Sequence, residues 1–69
     1  MAAQLKYQVK EHMADGSTLL IARVLGSDDA QTIGRAIAAV SPTGRTISVE
    51  TTRDLIASYP GEVEGVNFA

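Results

Sequence analysis

The sequence predicts a small α+β domain of order β-β-α-β-β, an antiparallel sheet with one helix packed on one face. Three observations carry that prediction. An alternating run from Leu5 to Lys10 is followed by Asp15-Gly16 and then by a nearly continuous apolar run from Ser17 to Leu25. Ala30, Ile33, Ala36, Ile37 and Val40 recur at helical spacing. Thr46 to Thr51 alternates again, and a short polar turn separates it from Leu55 to Tyr59.

Asp15-Gly16 between two β-prone runs predicts a two-residue type I′ hairpin, whose central residues both need positive φ. Tyr7 then lies opposite Val24, Val9 opposite Ala22, and Glu11 opposite Leu20. Period 2 puts Tyr7, Val9, Leu20, Ala22 and Val24 on the core face. Leu19 and Ile21 fall on the other face, among Lys6, Gln8, Lys10, His12 and Arg23. A slip of one residue would exchange the two faces.

Gly26 breaks the second strand, and Ser27 is placed to cap a helix whose first turn carries Asp28 and Asp29. Gly34 flanks the apolar stripe; its cost of about 1 kcal/mol relative to Ala is compensated if helix and sheet approach closely. Ser41-Pro42-Thr43-Gly44 ends the helix. In the next strand Ile47, Val49 and Thr51 point inward, Ser48 and Glu50 outward.

Thr52 to Tyr59 fits either a helix capped by Thr52 or a strand, and the strand is preferred. A three-residue turn, Thr52-Arg53-Asp54, with Asp54 in the left-handed conformation, aligns Leu55, Ala57 and Tyr59 with Thr51, Val49 and Ile47. Pro60-Gly61 ends it, and residues 62–69 read as a short edge strand or a tail. The predicted core is Tyr7, Val9, Leu20, Ala22, Val24, Ile33, Ile37, Val40, Ile47 and Val49.

The 69 residues make one domain, residues 1–69, with ten Ala, one Phe, no Trp and no Cys. A domain of this size buries roughly 60% of its unfolded surface. With no disulfide available, and a zinc site unsupported by a lone His12, the chain has a reason to dimerise or dock on a larger partner. A net charge of −2 and a pI near 5.1 argue against a dedicated nucleic-acid binder. No apolar run approaches the ~20 residues of a membrane span, and no signal-peptide pattern opens the chain. The cytoplasm is the expected compartment.

Catalytic patterns are not completed. Glu11 and His12 are adjacent on a strand and point to opposite faces, so His12 reads as an exposed residue at the hairpin end. No second His, Cys or nucleophile-elbow Ser completes a triad. Asp28-Asp29 lacks the loop spacing of a calcium site, and Gly26-Ser27 lacks the glycines and Lys of a phosphate cradle. No enzyme activity, cofactor or metal is expected.

What remains is the strip formed by Lys6, Lys10, Leu19, Ile21 and Arg23. Leu19 and Ile21 form its apolar centre, and the basic residues its rim. Such a strip suits docking on an acidic protein surface or a nucleic-acid site; alternatively, Lys6 and Lys10 simply solubilise an edge strand while Leu19 and Ile21 are stray exposed residues or a crystal or dimer contact.

The layout of a hairpin, then Ala22-Arg23-Val24-Leu25-Gly26-Ser27-Asp28 leading into an alanine-rich helix, then Ile47-Ser48-Val49-Glu50-Thr51 leading into a last hairpin, resembles small phage-encoded anti-CRISPR proteins directed at type I surveillance complexes. The resemblance spans Tyr7 to Tyr59 and is one of layout. It implies a non-enzymatic inhibitor that occupies a surface of a multi-subunit nucleoprotein effector in the cytoplasm of a bacterial host. The family shares no motif along which functional residues transfer. Three function classes follow: a protein-binding inhibitor or regulator, a nucleic-acid module using the hairpin face, and a self-associating structural protein, with direct nucleic-acid binding disfavoured by the charge.

Overall fold

The computed structural model describes residues 5–64. Four strands, β1 (Tyr7–His12), β2 (Thr18–Val24), β3 (Thr46–Glu50) and β4 (Leu55–Pro60), form one antiparallel sheet of order β2-β1-β3-β4. The helix α1 (Ser27–Ala39) packs on one face and touches all four strands. This is the β-β-α-β-β order that the sequence predicts, including the strand at 55–60.

The first hairpin reaches its register by a different route. Met13 N–H donates to Ser17 O at 2.8 Å and Gly16 N–H to Met13 O at 3.0 Å. Gly16 alone has positive φ there, at 94°, so the loop has three residues, Ala14 to Gly16, rather than two. Asp15 accepts from the backbone N–H and hydroxyl of Ser17, which hold its carboxyl below its usual range. The longer loop shifts the pairing by one: His12 faces Thr18, Glu11 faces Leu19 and Lys10 faces Leu20. A bulge at Ile21 then shifts it back, so Val9 faces Ala22 and Tyr7 faces Val24 as expected.

Between turn and bulge the faces are therefore exchanged. Leu20 leaves the predicted core and stands beside Lys10 on the open face, 42% exposed. Leu19 joins the helix side opposite Glu11, and Ile21 packs against the core. A second bulge places Leu55 opposite Glu50 instead of Thr51, leaving it 64% exposed, while Ala57 and Tyr59 meet Val49 and Ile47 as predicted. Asp54 is not left-handed. Instead Thr51 Oγ1 accepts the N–H groups of Arg53 and Asp54 and builds the turn.

The core is Val9, Ile47, Val49, Ala30 and Ala38, fully buried, with Tyr7, Ile33, Ile37 and Tyr59 among those packed around it. On α1 the buried line is Ala30, Gly34 and Ala38, four residues apart. It lies roughly a quarter turn from the predicted stripe. Val40, expected in the core, is the C-cap residue and 77% exposed. Gly34 explains the rotation. A Cβ there would sit 3.2 Å from the Tyr59 ring and 3.2 Å from Val49 Cγ2, so the smallest residues face the sheet and isoleucines grip the flank. Ser27 does not cap: Gly26 occupies the N-cap, and Ser27 Oγ accepts from Gln31 Nε2.

Residues 61–63 do not form a free tail. Glu62 N–H donates to Ala38 O at 3.0 Å, Val63 N–H to Ser41 O at 2.9 Å, and Thr43 N–H to Val63 O at 3.1 Å. These bonds strap the chain beside Ser41 to Thr43 and satisfy a carbonyl of the last helical turn. The predicted tail beyond Glu64 lies outside the described residues. Gly61 makes the strap possible, because a Cβ there would overlap the Pro42 carbonyl oxygen and lie 2.9 Å from Ser41 O.

Two stability outcomes follow. Ile47→Ala empties the centre of the core and is expected to cost about 2–5 kcal/mol, read as a lowered thermal midpoint. Gly61→Ala is expected to release the strap and its hydrogen bonds, costing about 2–4 kcal/mol and lowering the midpoint by roughly 10–20 °C. A wild-type melt for Gly61→Ala would show that the strap contributes nothing.

Candidate functional site

With α1 covering one face, no element among the described residues covers the other, open face of the sheet. Alternation along each strand and the observed registers arrange this face in three rows. Arg23, Gln8, Glu50 and Leu55 form the first, Leu20, Lys10, Ser48 and Ser58 the second, and Thr18, His12, Thr46 and Pro60 the third. The face is polar at its centre, and Leu20 and Leu55 lie on its two edge strands.

A chain of hydrogen bonds crosses the middle strands. Ser48 Oγ donates to Glu50 Oε2 at 2.6 Å. His12 Nε2 is 2.8 Å from Ser48 Oγ, and His12 Nδ1 is 3.2 Å from Thr18 Oγ1. Since Ser48 spends its proton on Glu50, the network assigns Nε2–H of His12 as donor to Ser48, with Nδ1 hydrogen-bonded to the Thr18 hydroxyl. Lys10 Nζ stands 3.8 Å from Glu50 Oε1 and closes the set. His12 is thus tied between two strands rather than loose at the hairpin end.

The order of these groups governs what they do. In a hydrolytic triad the histidine lies between hydroxyl and carboxylate and takes the hydroxyl proton. Here the hydroxyl lies between histidine and carboxylate, and Ser48 is 3% exposed. The arrangement holds β1 and β3 in register and neutralises polar groups on an uncovered face. On the helix side, Glu11 is buried and paired with Arg45 at 3.5 Å.

The five residues expected to form one binding strip do not share a face. Lys10 and Arg23 lie on the open face, Leu19 and Ile21 on the helix side, and Lys6 is exposed just ahead of β1. Leu20 takes the place beside Lys10 that the predicted register gives to Ile21. The outward positions of Ser48, Glu50 and His12 follow from alternation, but their contact needs the β1–β3 register, which no local signal encodes. An open depression of about 410 Å³ near the β3–β4 turn is lined in part by Lys6, Arg53, Asp54 and Ile56. Among the described residues no helix is long and apolar enough to cross a membrane.

No known protein family matches the chain, and neither a curated protein nor a solved structure is similar to it.

Glu50 is held below the usual carboxylate range chiefly by the Ser48 hydroxyl, with partial burial opposing and Lys10 and His12 assisting. A carboxylate lowered in the folded state contributes stability above its unfolded value, near 4.5, and loses it as pH falls through the folded value. Thermal midpoints of wild type and Glu50→Gln should therefore differ near neutrality and converge on acidification. A difference independent of pH would place the effect elsewhere.

Proposed function

We propose that this chain is a non-enzymatic protein-binding regulator that docks on an acidic protein surface through the open side of its β1–β2 hairpin. The observation that supports this most directly is the second row of that face. Leu20 stands exposed beside Lys10, with Arg23 on the same face of the same strand. An apolar side chain rimmed by cations fits a partner with an apolar notch among carboxylates, where the apolar contact carries affinity and the charges steer encounter. Ion pairing of Lys10 with Glu50, and the net negative charge, weigh against phosphate binding as the main task.

The resemblance in layout to small phage inhibitors names the class of partner, a type I CRISPR surveillance complex. The test is binding of the full chain to such a purified complex, followed by interferometry. Saturable binding is expected, weakened at least about tenfold by Leu20→Ser. Arg23→Glu should slow association, more strongly at low salt, with the thermal midpoint unchanged. No saturable binding would overturn the choice of partner, and binding indifferent to both substitutions would overturn the choice of surface.

A further inference from the structure

The geometry points to a second copy of this chain as the occupant of the edge of β2, which pairs with no other strand among the described residues, two sheets joining through antiparallel β2–β2 pairing into one sheet of eight strands. The two edges of the sheet differ. β4 ends on Pro60, which has no N–H to offer, and the chain then turns away onto the end of α1. β2 is seven residues long, with no proline, lysine or acid, and its only charge is Arg23. Long apolar edges of this kind invite pairing.

The bulge decides the register. Thr18, Leu20 and Arg23 face the open side; Leu19, Ile21, Ala22 and Val24 face the helix side. Residues opposed across antiparallel strands must share a face. For two copies of β2, one register satisfies this along the whole strand. It sets Ile21 against Ala22 of the second copy, Leu20 against Arg23, and Leu19 against Val24. Centring the pair on Leu20, Ile21 or Ala22 opposes inward to outward residues, and centring it on Arg23 faces two cations. The matched register avoids that repulsion and lays the Arg23 stem on Leu20. It also covers Leu19 and brings Leu25, one residue past the strand, to Thr18. Leu19, Leu20 and Leu25 are all exposed in the single chain.

This pairing shares Leu20 and Arg23 with the surface proposed for the partner, but it is made by the backbone of the strand edge and is read on the chain alone. About eight residues a side is well below the 20–30 of a standard interface, so the dimer is weak and is sought at about 0.1–1 mM. Sedimentation should show a concentration-dependent monomer–dimer equilibrium, with Leu19→Lys shifting the dissociation constant at least about tenfold upward. Lys at position 19 can pair with Glu11 in its own chain, so the fold should survive, as circular dichroism would register. Because the chain has no cysteine, mixed Leu20→Cys and Arg23→Cys chains test the register by oxidation. The cross-linked heterodimer should exceed both homodimers, since the opposed side chains lie within disulfide reach. Wild type that remains monomeric up to 1 mM overturns the pairing, as does cross-linking without preference for the heterodimer. Neither result bears on binding to a surveillance complex.

Discussion

One helix of 13 residues, about 20 Å long, must cover a sheet of four strands, and how closely it lies on them governs the rest of the structure. The chain solves this with size rather than hydrophobicity. Ala30, Gly34 and Ala38 meet the sheet, so the backbone of α1 comes down onto Val49 and Tyr59. Close approach lets few side chains enclose Val9, Ile47 and Val49 completely. It also leaves the periphery thin, and Leu19, Leu25, Leu55 and Ile56 remain exposed. The strap from Gly61 to Val63 then fixes the far end of the helix, where packing alone has run out.

The element order was legible because each element carries its own local signal: a turn with glycine, helical spacing, and alternation. Tyr7 lies opposite Val24 as the sequence predicts, although two departures from the predicted hairpin cancel to bring this about. The loop holds one more residue than Asp15-Gly16 suggests, and β2 holds one more residue than its partner at the Ile21 bulge. A bulge is a compromise between twist, packing and pairing along two strands, so a run such as Thr18 to Val24 does not declare where it falls. The buried face of the helix departs from the expected stripe for a related reason. Counting apolar residues favours Ala36 and Val40, which are exposed, whereas the close contact with Tyr59 and Val49 selects Gly34, which has no side chain.

The candidate site was half legible on the same logic. Lys10, His12, Ser48 and Glu50 were assigned outward by alternation, and they do lie outward. Their union into one hydrogen-bonded chain depends on β1 pairing with β3, a contact across 36 residues for His12 and Ser48. The polar chain gives the middle of this sheet its specificity, since slipping β1 against β3 by one residue would take His12 from Ser48 and Lys10 from Glu50. The exposed apolar side chains of this face, Leu20 and Leu55, are thereby left to the two edge strands.

The Ile21 bulge links fold to both functional readings. With no bulge and the same three-residue loop, Ile21 would lie opposite Val9 on the helix side, but Ala22 and Val24 would face outward and Arg23 inward, so the helix would lose much of the β2 side of its footing. With it, Ala22 and Val24 return to the helix side and Arg23 to the open face, where the three-residue loop has already set Leu20 beside Lys10. The same irregularity makes the strand self-complementary about the Ile21–Ala22 bond, because two successive inward residues create a centre across which inward meets inward on both sides. A regular strand can be centred on any residue and still match faces, so its edge accepts many registers. A bulged strand accepts one. Bulges ordinarily protect an edge by bending it away from neighbours, and here the protection is selective: arbitrary strands are refused, and a strand carrying the identical irregularity fits.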